Sequence, residues 1–231
     1  MLPALRKEVH YFDYPTRYRW GRWWYRAHFP RTKRRRESER RLGATVLTGE
    51  ASPYYGFHPL AVPRIAAALP RVKLIALLRD PVRRAYSHYH HERRLGYETV
   101  SFEEAIELED ERTAGEAERI REDPSYYSYA HQHWSYLARG RYLEQIEAWI
   151  RSIPGDRLHL VVQEELRAEP DETLDRVLDF LGLPACQLSK SEVPASDYSP
   201  LEPDLHRRLA EQFAASNERL FRYLGRDLDW S

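Results

Sequence analysis

Cysteine occurs once in this 231-residue chain, at Cys186. A single thiol excludes an internal disulfide framework and a cysteine-rich zinc site, and it suits a reducing compartment, so a cytoplasmic location is expected. Long apolar runs are also missing. No stretch reaches the 18 or so residues of a transmembrane helix, and the N-terminal "MLPALRKEVHYFD" lacks the apolar centre of a signal peptide; no membrane contact is expected. Neither sign of charge prevails: 36 Lys and Arg balance 36 Asp and Glu. The chain as a whole is therefore no polyanion binder, although a local patch can still be basic. The P-loop pattern Gly-x-x-x-x-Gly-Lys-Ser/Thr is absent, which argues against a nucleotide kinase. His-Glu-x-x-His is absent too. The cluster "SHYHHERR" offers no pair of histidines at i, i+4 spacing among His88, His90 and His91, and His131 and His133 stand two apart in a polar stretch. No metal site is expected.

What remains is enough for a folded enzyme. Hydrophobic residues make up 42% of the chain, so a core can form. Residues 44–50 ("ATVLTGE") read as a short strand. Residues 72–78 ("VKLIALL") read as a strand buried on both faces, and "RLHLVVQEEL" as a third. Between and after them come helical segments: "LAVPRIAAALP", "SFEEAIELEDER" with a Ser101/Glu104 capping box, "WSYLARGRYLEQIEAWIRSI", "DETLDRVLDFLGL" closed by Gly182, and "DLHRRLAEQFAASNERLFRYLG". Residues 110–128 read as irregular. "WGRWWYRAHFP" reads as a short amphipathic helix, and "RTKRRRESERR", with seven basic residues from Arg31 to Arg41, as a solvated loop or frayed helix. Strands alternating with helices predict an α/β fold with a parallel sheet, and the absence of repeats and long linkers predicts a single domain, residues 1–231.

One stretch carries chemistry by spacing alone. "KLIALLRDPVRRAYSHYHHERR" (Lys73–Arg94) runs from an apolar strand through Arg79 into a helix with Asp80 as N-cap and Pro81 at its first position. Ligands of open parallel sheets sit beyond the carboxyl ends of the strands. A helix N-terminus and an arginine fork both suit phosphate. Arg83, Ser87 and His91 share one helix face, while Val82, Ala85, Tyr86 and Tyr89 lie mostly on the other. The alternative is a strand, a capped helix and an ordinary wet face.

The segment "LLRDPVRRAYSHY" resembles the 3′-phosphate-binding element of sulfotransferases that use 3′-phosphoadenosine 5′-phosphosulfate (PAPS). Four more elements follow the family in order. "KEVHYFD" with "WWYRAHFP" resembles Lys-Glu-x-His-Phe-Phe-Asp and its Trp-Tyr-x-x-x-Phe-Pro continuation. "GEASPYY" resembles Gly-Glu-Lys/Ala-Ser-Pro-x-Tyr. "GRYLEQIEAWI" resembles Gly-x-Tyr-x-x-x-Leu-x-x-Trp, and "NERLFRYLGRDLDW" the C-terminal ending. The set covers nearly the whole chain and is similar to bacterial-type sulfotransferases related to the heparan sulfate sulfotransferase domain.

That resemblance implies a P-loop-NTPase-like three-layer sandwich, PAPS as sulfonate donor, PAP as product, and a saccharide hydroxyl or amine as acceptor. It implies Arg79 and Ser87 as contacts of the 3′-phosphate, Glu8 as the general base with His10 beside it, and Lys7, Asp13 and Glu50 on the acceptor side, with a structural role as the alternative for Glu50. Lys190 or Tyr198, in the loop Leu188–Pro200, would cover the nucleotide, while Tyr142 reads as a helix packing residue. Ala51 departs from the family, which often has Lys there. The family's 5′-phosphosulfate loop, roughly Lys-x-Gly-Thr-Thr/Ser, is not found, so the first strand and its phosphate loop are expected to be missing and this chain is expected to bind PAP weakly and transfer no sulfonate. A competing reading makes residues 17–41, where Arg and aromatics interleave, a nucleic-acid-binding segment; the net charge of 0 counts against it.

Overall fold

The computed structural model describes residues 2–186 and 198–230, so Lys190 lies outside the described residues. The chain forms two compact units: Met1–Val72 with Ala117–Tyr127, and Lys73–Glu116 with Ser128–Ser231.

In the first unit, strands β1 (Leu2–Pro3) and β2 (Thr48–Gly49) pair in parallel. The expected strand over 44–50 shrinks to two residues because its partner is short and Pro3 has no N–H for the ladder. Helices span Pro15–Arg19, Gly21–Arg26, Thr32–Leu42 and Ala61–Ala68. An aromatic core forms beneath them: Tyr11 lies 4.8 Å from Phe12 and 4.8 Å from Tyr25, and Phe12 lies 5.0 Å from Tyr25, ring centre to ring centre. The basic segment is a regular helix rather than a loop, yet it buries no residue. Arg, Lys and Glu are good helix formers. Arg35 pairs with Glu39 one turn on, at 3.6 Å, and Gly43 closes the helix at φ 63°, where other residues are strained.

In the second unit, β3 (Leu74–Leu78) pairs in parallel with β4 (Leu158–Val162), Leu74 opposite Leu158 and Leu78 opposite Val162. The helix after β3 spans Pro81–Leu95, and its ends follow the expected capping: the Asp80 carboxylate accepts from Arg83 N at 2.8 Å, and Gly96 stands at φ 78°. This helix contributes Val82, Ala85 and Tyr89 to a core completed by Phe102, Ala105, Tyr136, Leu205, Leu209 and Phe213. The last three belong to the Pro203–Leu224 helix, whose buried positions recur every four residues.

Four expectations are corrected here. β3 is not buried on both faces: Ile75 and Leu77 alternate onto one face and are exposed, so that face is left uncovered among the described residues. "RLHLVVQEEL" is strand only to Val162. The ladder ends there opposite Leu78, and Gln163–Ala168 turn into a helix. Residues 110–128 contain the helices Glu109–Thr113 and Glu116–Glu122. Tertiary contacts hold them: Ile120 is buried, and the Glu109 carboxylate accepts from the backbone N–H of Leu137 at 2.5 Å and Ala138 at 2.8 Å. Finally, the helix expected from Trp134 begins only at Tyr142. Gly140 sits where an added Cβ would come within 2.7 Å of Phe213 and 2.8 Å of Pro81. That close approach brings the chain onto the start of the Pro81–Leu95 helix.

Candidate functional site

The first unit gathers five of the residues singled out by sequence. Lys7 to Asp13 form a loop in which Glu8 and His10 both adopt left-handed backbone, φ 57° and 51°. Each such non-glycine position costs on the order of 1 kcal/mol and persists only where surrounding contacts over-determine it. Those contacts are present. Val9, between the two, is fully buried. Arg17 donates to Val9 O at 2.8 Å, and Arg64 to Phe12 O at 2.9 Å. His10 N donates to Ser52 Oγ at 3.1 Å, and Tyr11 N to Tyr55 Oη at 2.7 Å.

Glu50 organises this anchorage. Its Oε2 accepts from Ser52 Oγ at 2.8 Å and Val9 N at 3.4 Å, and its Oε1 accepts from the Tyr55 hydroxyl at 3.0 Å. Burial, then the charge of Glu50, pushes the Tyr55 phenol above its ordinary pKa, so it remains a donor. The motif "GEASPYY" thus works as a clamp on "KEVHYFD". Glu50 was expected on the acceptor side; its oxygens face the clamp.

The strained loop aligns a chain of charges. His10 Nδ1 lies 2.7 Å from Asp13 Oδ2, its Nε2 lies 3.4 Å from Glu8 Oε2, and Lys7 Nζ lies 3.7 Å from Glu8 Oε1. Burial opposes charging of the His10 imidazole, but the paired carboxylates of Asp13 and Glu8 outweigh it and hold the pKa above the ordinary value. Asp13 is buried, while the Glu8 side chain is 36% exposed. A carboxylate on fixed backbone, an imidazole beside it and partial exposure of the side chain are what a group that removes an acceptor proton requires.

The second unit holds the anion-binding candidates. Arg79 follows β3, and its carbonyl accepts from the Tyr142 hydroxyl at 2.8 Å. Asp80 N donates to Glu164 Oε1 at 3.2 Å. The backbone at the strand–helix junction is therefore pinned from two sides. The Arg79 side chain is half-buried, and its Nε is a buried donor with no hydrogen-bond partner among the described residues. An ionised guanidinium with an open N–H at a helix start fits a phosphate. Ser87, half-buried, lies two turns along the same helix. Tyr198 stacks on His90 of this helix at 4.1 Å with rings within 1°, and its ring lies 5.4 Å from that of Tyr86.

Sequence reading missed two features beside this junction. Tyr142, read as a helix packing residue, supports Arg79 directly. The other is a buried polar relay: Glu92 lies between His88 Nε2 at 3.0 Å and His133 Nδ1 at 2.9 Å. Burial would raise the Glu92 carboxyl, but its bonds with His133 and His88 bring it down to about 2. Burial, with the charge of Arg139, lowers His88 to about 3. A neutral His88 with its proton on Nε2 satisfies this geometry. The i, i+4 spacing of His88 and Glu92 was the available signal. Among the described residues no group of His, Cys, Asp and Glu is arranged to hold a metal ion.

The sulfotransferase domain family model matches residues 5–197. The chain belongs to the sulfotransferase family. It is 28% identical to human heparan sulfate glucosamine 3-O-sulfotransferase 6 over 98% of this chain and 66% of the relative. It is 26% identical to the membrane-associated sulfotransferase kil1 of Dictyostelium discoideum, over 97% of this chain and 60% of that protein. This chain thus spans under two thirds of the length of these curated relatives. A solved sulfotransferase from Alicyclobacillus acidocaldarius superposes with a TM-score of 0.65 at 27% identity, covering 99% of this chain and 87% of that one. The α/β, P-loop-like fold implied by the sequence resemblance is the fold observed.

Proposed function

We propose that the protein transfers a sulfonate from PAPS to a hydroxyl or amine of a saccharide; the expectation of no transfer rested on the phosphosulfate loop alone, and the acceptor-side charge chain is assembled. The observation that carries this reading is the Lys7–Glu8–His10–Asp13 charge chain, held on strained backbone by the Glu50–Ser52–Tyr55 clamp. Support for a saccharide acceptor comes from the similarity to human heparan sulfate glucosamine 3-O-sulfotransferase 6. The family match, residues 5–197, runs through both units, which favours reading them as parts of one sulfotransferase domain.

PAPS would supply an activated sulfonate on a good leaving phosphate, and positioning with charge stabilisation would account for most of the acceleration. Arg79 and Ser87 would hold the 3′-phosphate, and Tyr142 would fix the Arg79 backbone. In the first unit, Glu8 Oε would accept the proton of the acceptor O–H or N–H. His10, whose charged form Asp13 and Glu8 favour, would hold the Glu8 carboxylate in place, and Lys7 would meet an anionic acceptor.

Calorimetric titration with PAP and with ATP tests the nucleotide assignment. PAP is expected to bind, ATP to bind far more weakly, and Arg79→Ala to abolish PAP binding without shifting the melting temperature. Equal affinity for both nucleotides, or unchanged PAP affinity in Arg79→Ala, would sink it. Transfer of labelled sulfonate to a glucosaminyl oligosaccharide tests the base. Glu8→Gln is expected to lower the rate by roughly 10²- to 10⁴-fold, and an unchanged rate removes Glu8 from that role.

A further inference from the structure

Charge in this neutral chain is sharply segregated. Residues 15–42 carry eleven Lys and Arg against two acidic residues, Glu37 and Glu39, an excess of nine; the rest of the chain carries the compensating acidic excess. Ten of the eleven cations are exposed, the partly covered one being Arg17. The Thr32–Leu42 helix, with four of these cations in its first two turns and two more near its end, buries nothing at all. None of these side chains takes part in the charge chain around Glu8.

The same region exposes large apolar side chains, a costly arrangement on a surface meant only for water. Trp23 is 82% exposed, Leu5 70%, Leu42 61% and Trp20 54%. Three of them gather at one place. Leu5 N donates to His28 O at 2.7 Å, His28 lies 4.2 Å from the Trp24 ring, and Trp24 lies 4.8 Å from Trp20. Trp23 stands on the same short helix, with the Arg26 guanidinium 5.4 Å from its ring. Leu42 ends the basic helix.

We propose that residues 15–42, with Leu5, form a docking surface for an anionic lipid bilayer, on which the protein lies without crossing it. The combination decides the partner. Polybasic segments are drawn to anionic leaflets, and tryptophan settles at the headgroup level. Leucine gains nothing against a hydrated polyanion, but Leu5 and Leu42 gain from immersion at the acyl boundary. A nucleic acid or sulfated glycan would use the cations and the tryptophan faces, and leave both leucines in water.

Sedimentation of the full chain with phosphatidylcholine vesicles, with and without phosphatidylserine, tests this. Binding is expected only to the phosphatidylserine vesicles, weakening as salt rises, with a blue shift of tryptophan emission. Replacing Arg34, Arg35 and Arg36 together by Ala should lower partitioning roughly 100-fold, the scale for three cations at an anionic leaflet. Trp20→Ala combined with Trp23→Ala should lower it about tenfold and remove most of the blue shift. The unmodified chain in a salt series provides a check that depends on no variant. The proposal is overturned by absence of binding to phosphatidylserine vesicles, or by binding indifferent to salt. It is equally overturned if partitioning is unchanged in the tryptophan pair, or if heparin or single-stranded DNA is captured through these arginines while vesicles are not. Because the readout is lipid binding, its failure leaves the transfer reading untouched, and the reverse holds as well.

Discussion

The loop Lys7–Asp13 and the junction Arg79–Pro81 both present charged groups, but they are built on opposite terms. The junction uses ordinary local chemistry: a strand end, an Asp cap, a proline at the first helical position and a glycine to close. Little strain is stored and few distant residues are needed. The loop places Glu8 and His10 in left-handed backbone and depends on Arg17, Glu50, Ser52, Tyr55 and Arg64 to keep them there. A nucleotide phosphate needs a positive concavity, which a helix start supplies almost for nothing. A general base needs an exact direction, and direction is what costs strain.

Acid should have the largest effect, and it acts on buried histidines in both units. His58 is lowered to about 3 by burial and the charge of Arg64, and His88 to about 3 by burial and the charge of Arg139. Both are neutral in the fold and charge freely when unfolded. Stability is therefore full above the unfolded pKa of about 6.5 and falls with acidification towards 3, by roughly 1.4 kcal/mol per pH unit for each histidine. His10 runs the other way. Its raised pKa adds stability that is complete below about 6.5 and disappears as pH rises through the folded value. Urea melts across pH should show a steep acid limb, reduced in His88→Gln; an acid limb that His88→Gln leaves unaltered would remove the relay from the account.

Within β3, Leu78→Ala should cost about 2–5 kcal/mol because Leu78 is fully buried. Ile75→Thr, on the exposed face, should change stability by less than about 0.5 kcal/mol. Similar losses at both positions would mean that the exposed face is covered in solution.

A smaller contrast separates the two regions directly. Tyr55→Phe removes a hydroxyl that accepts from Tyr11 N and donates to Glu50, leaving both without it, and should cost about 1–3 kcal/mol. Tyr142→Phe loses one bond to the Arg79 carbonyl and should cost about 0.5–1.5 kcal/mol. If Tyr142→Phe proves the costlier, the junction is the strained region and the comparison is reversed. In transfer assays Tyr55→Phe should lower turnover, and Tyr142→Phe should raise the KM for PAPS.

Regular chemistry was readable in the chain; conflict between levels was not. The Pro81–Leu95 helix, with Asp80, Pro81 and Gly96, could be drawn from sequence to within a residue, because its caps act over three or four positions. The helices ended by Gly182 and Gly225 were equally legible. The motif around Glu8 could be matched to a family, yet nothing in "KEVHYFD" announces two left-handed residues. Tyr142 looked like packing because its partner is 63 residues away. For Glu50 an acceptor-side and a structural role both stayed open, because a carboxylate beside a Ser-Pro loop gives no sign that Ser52 and Tyr55 will bond its oxygens.

By itself, then, the sequence settled the strongly patterned helices and the cores of the strands, where several of them stop, and which family the chain resembles. These follow from periodicity, capping and ordered motifs, all of which act along the chain. Only the tertiary structure decided that Glu8 and His10 are strained, that Ser52 and Tyr55 bond the Glu50 oxygens, that β3 keeps one face exposed, and that Leu5, Trp20, Trp23 and Leu42 stand bare beside the cations. Those outcomes depend on contacts between residues 40 or more positions apart in the clamp, and on which faces find a partner, and no local pattern encodes either.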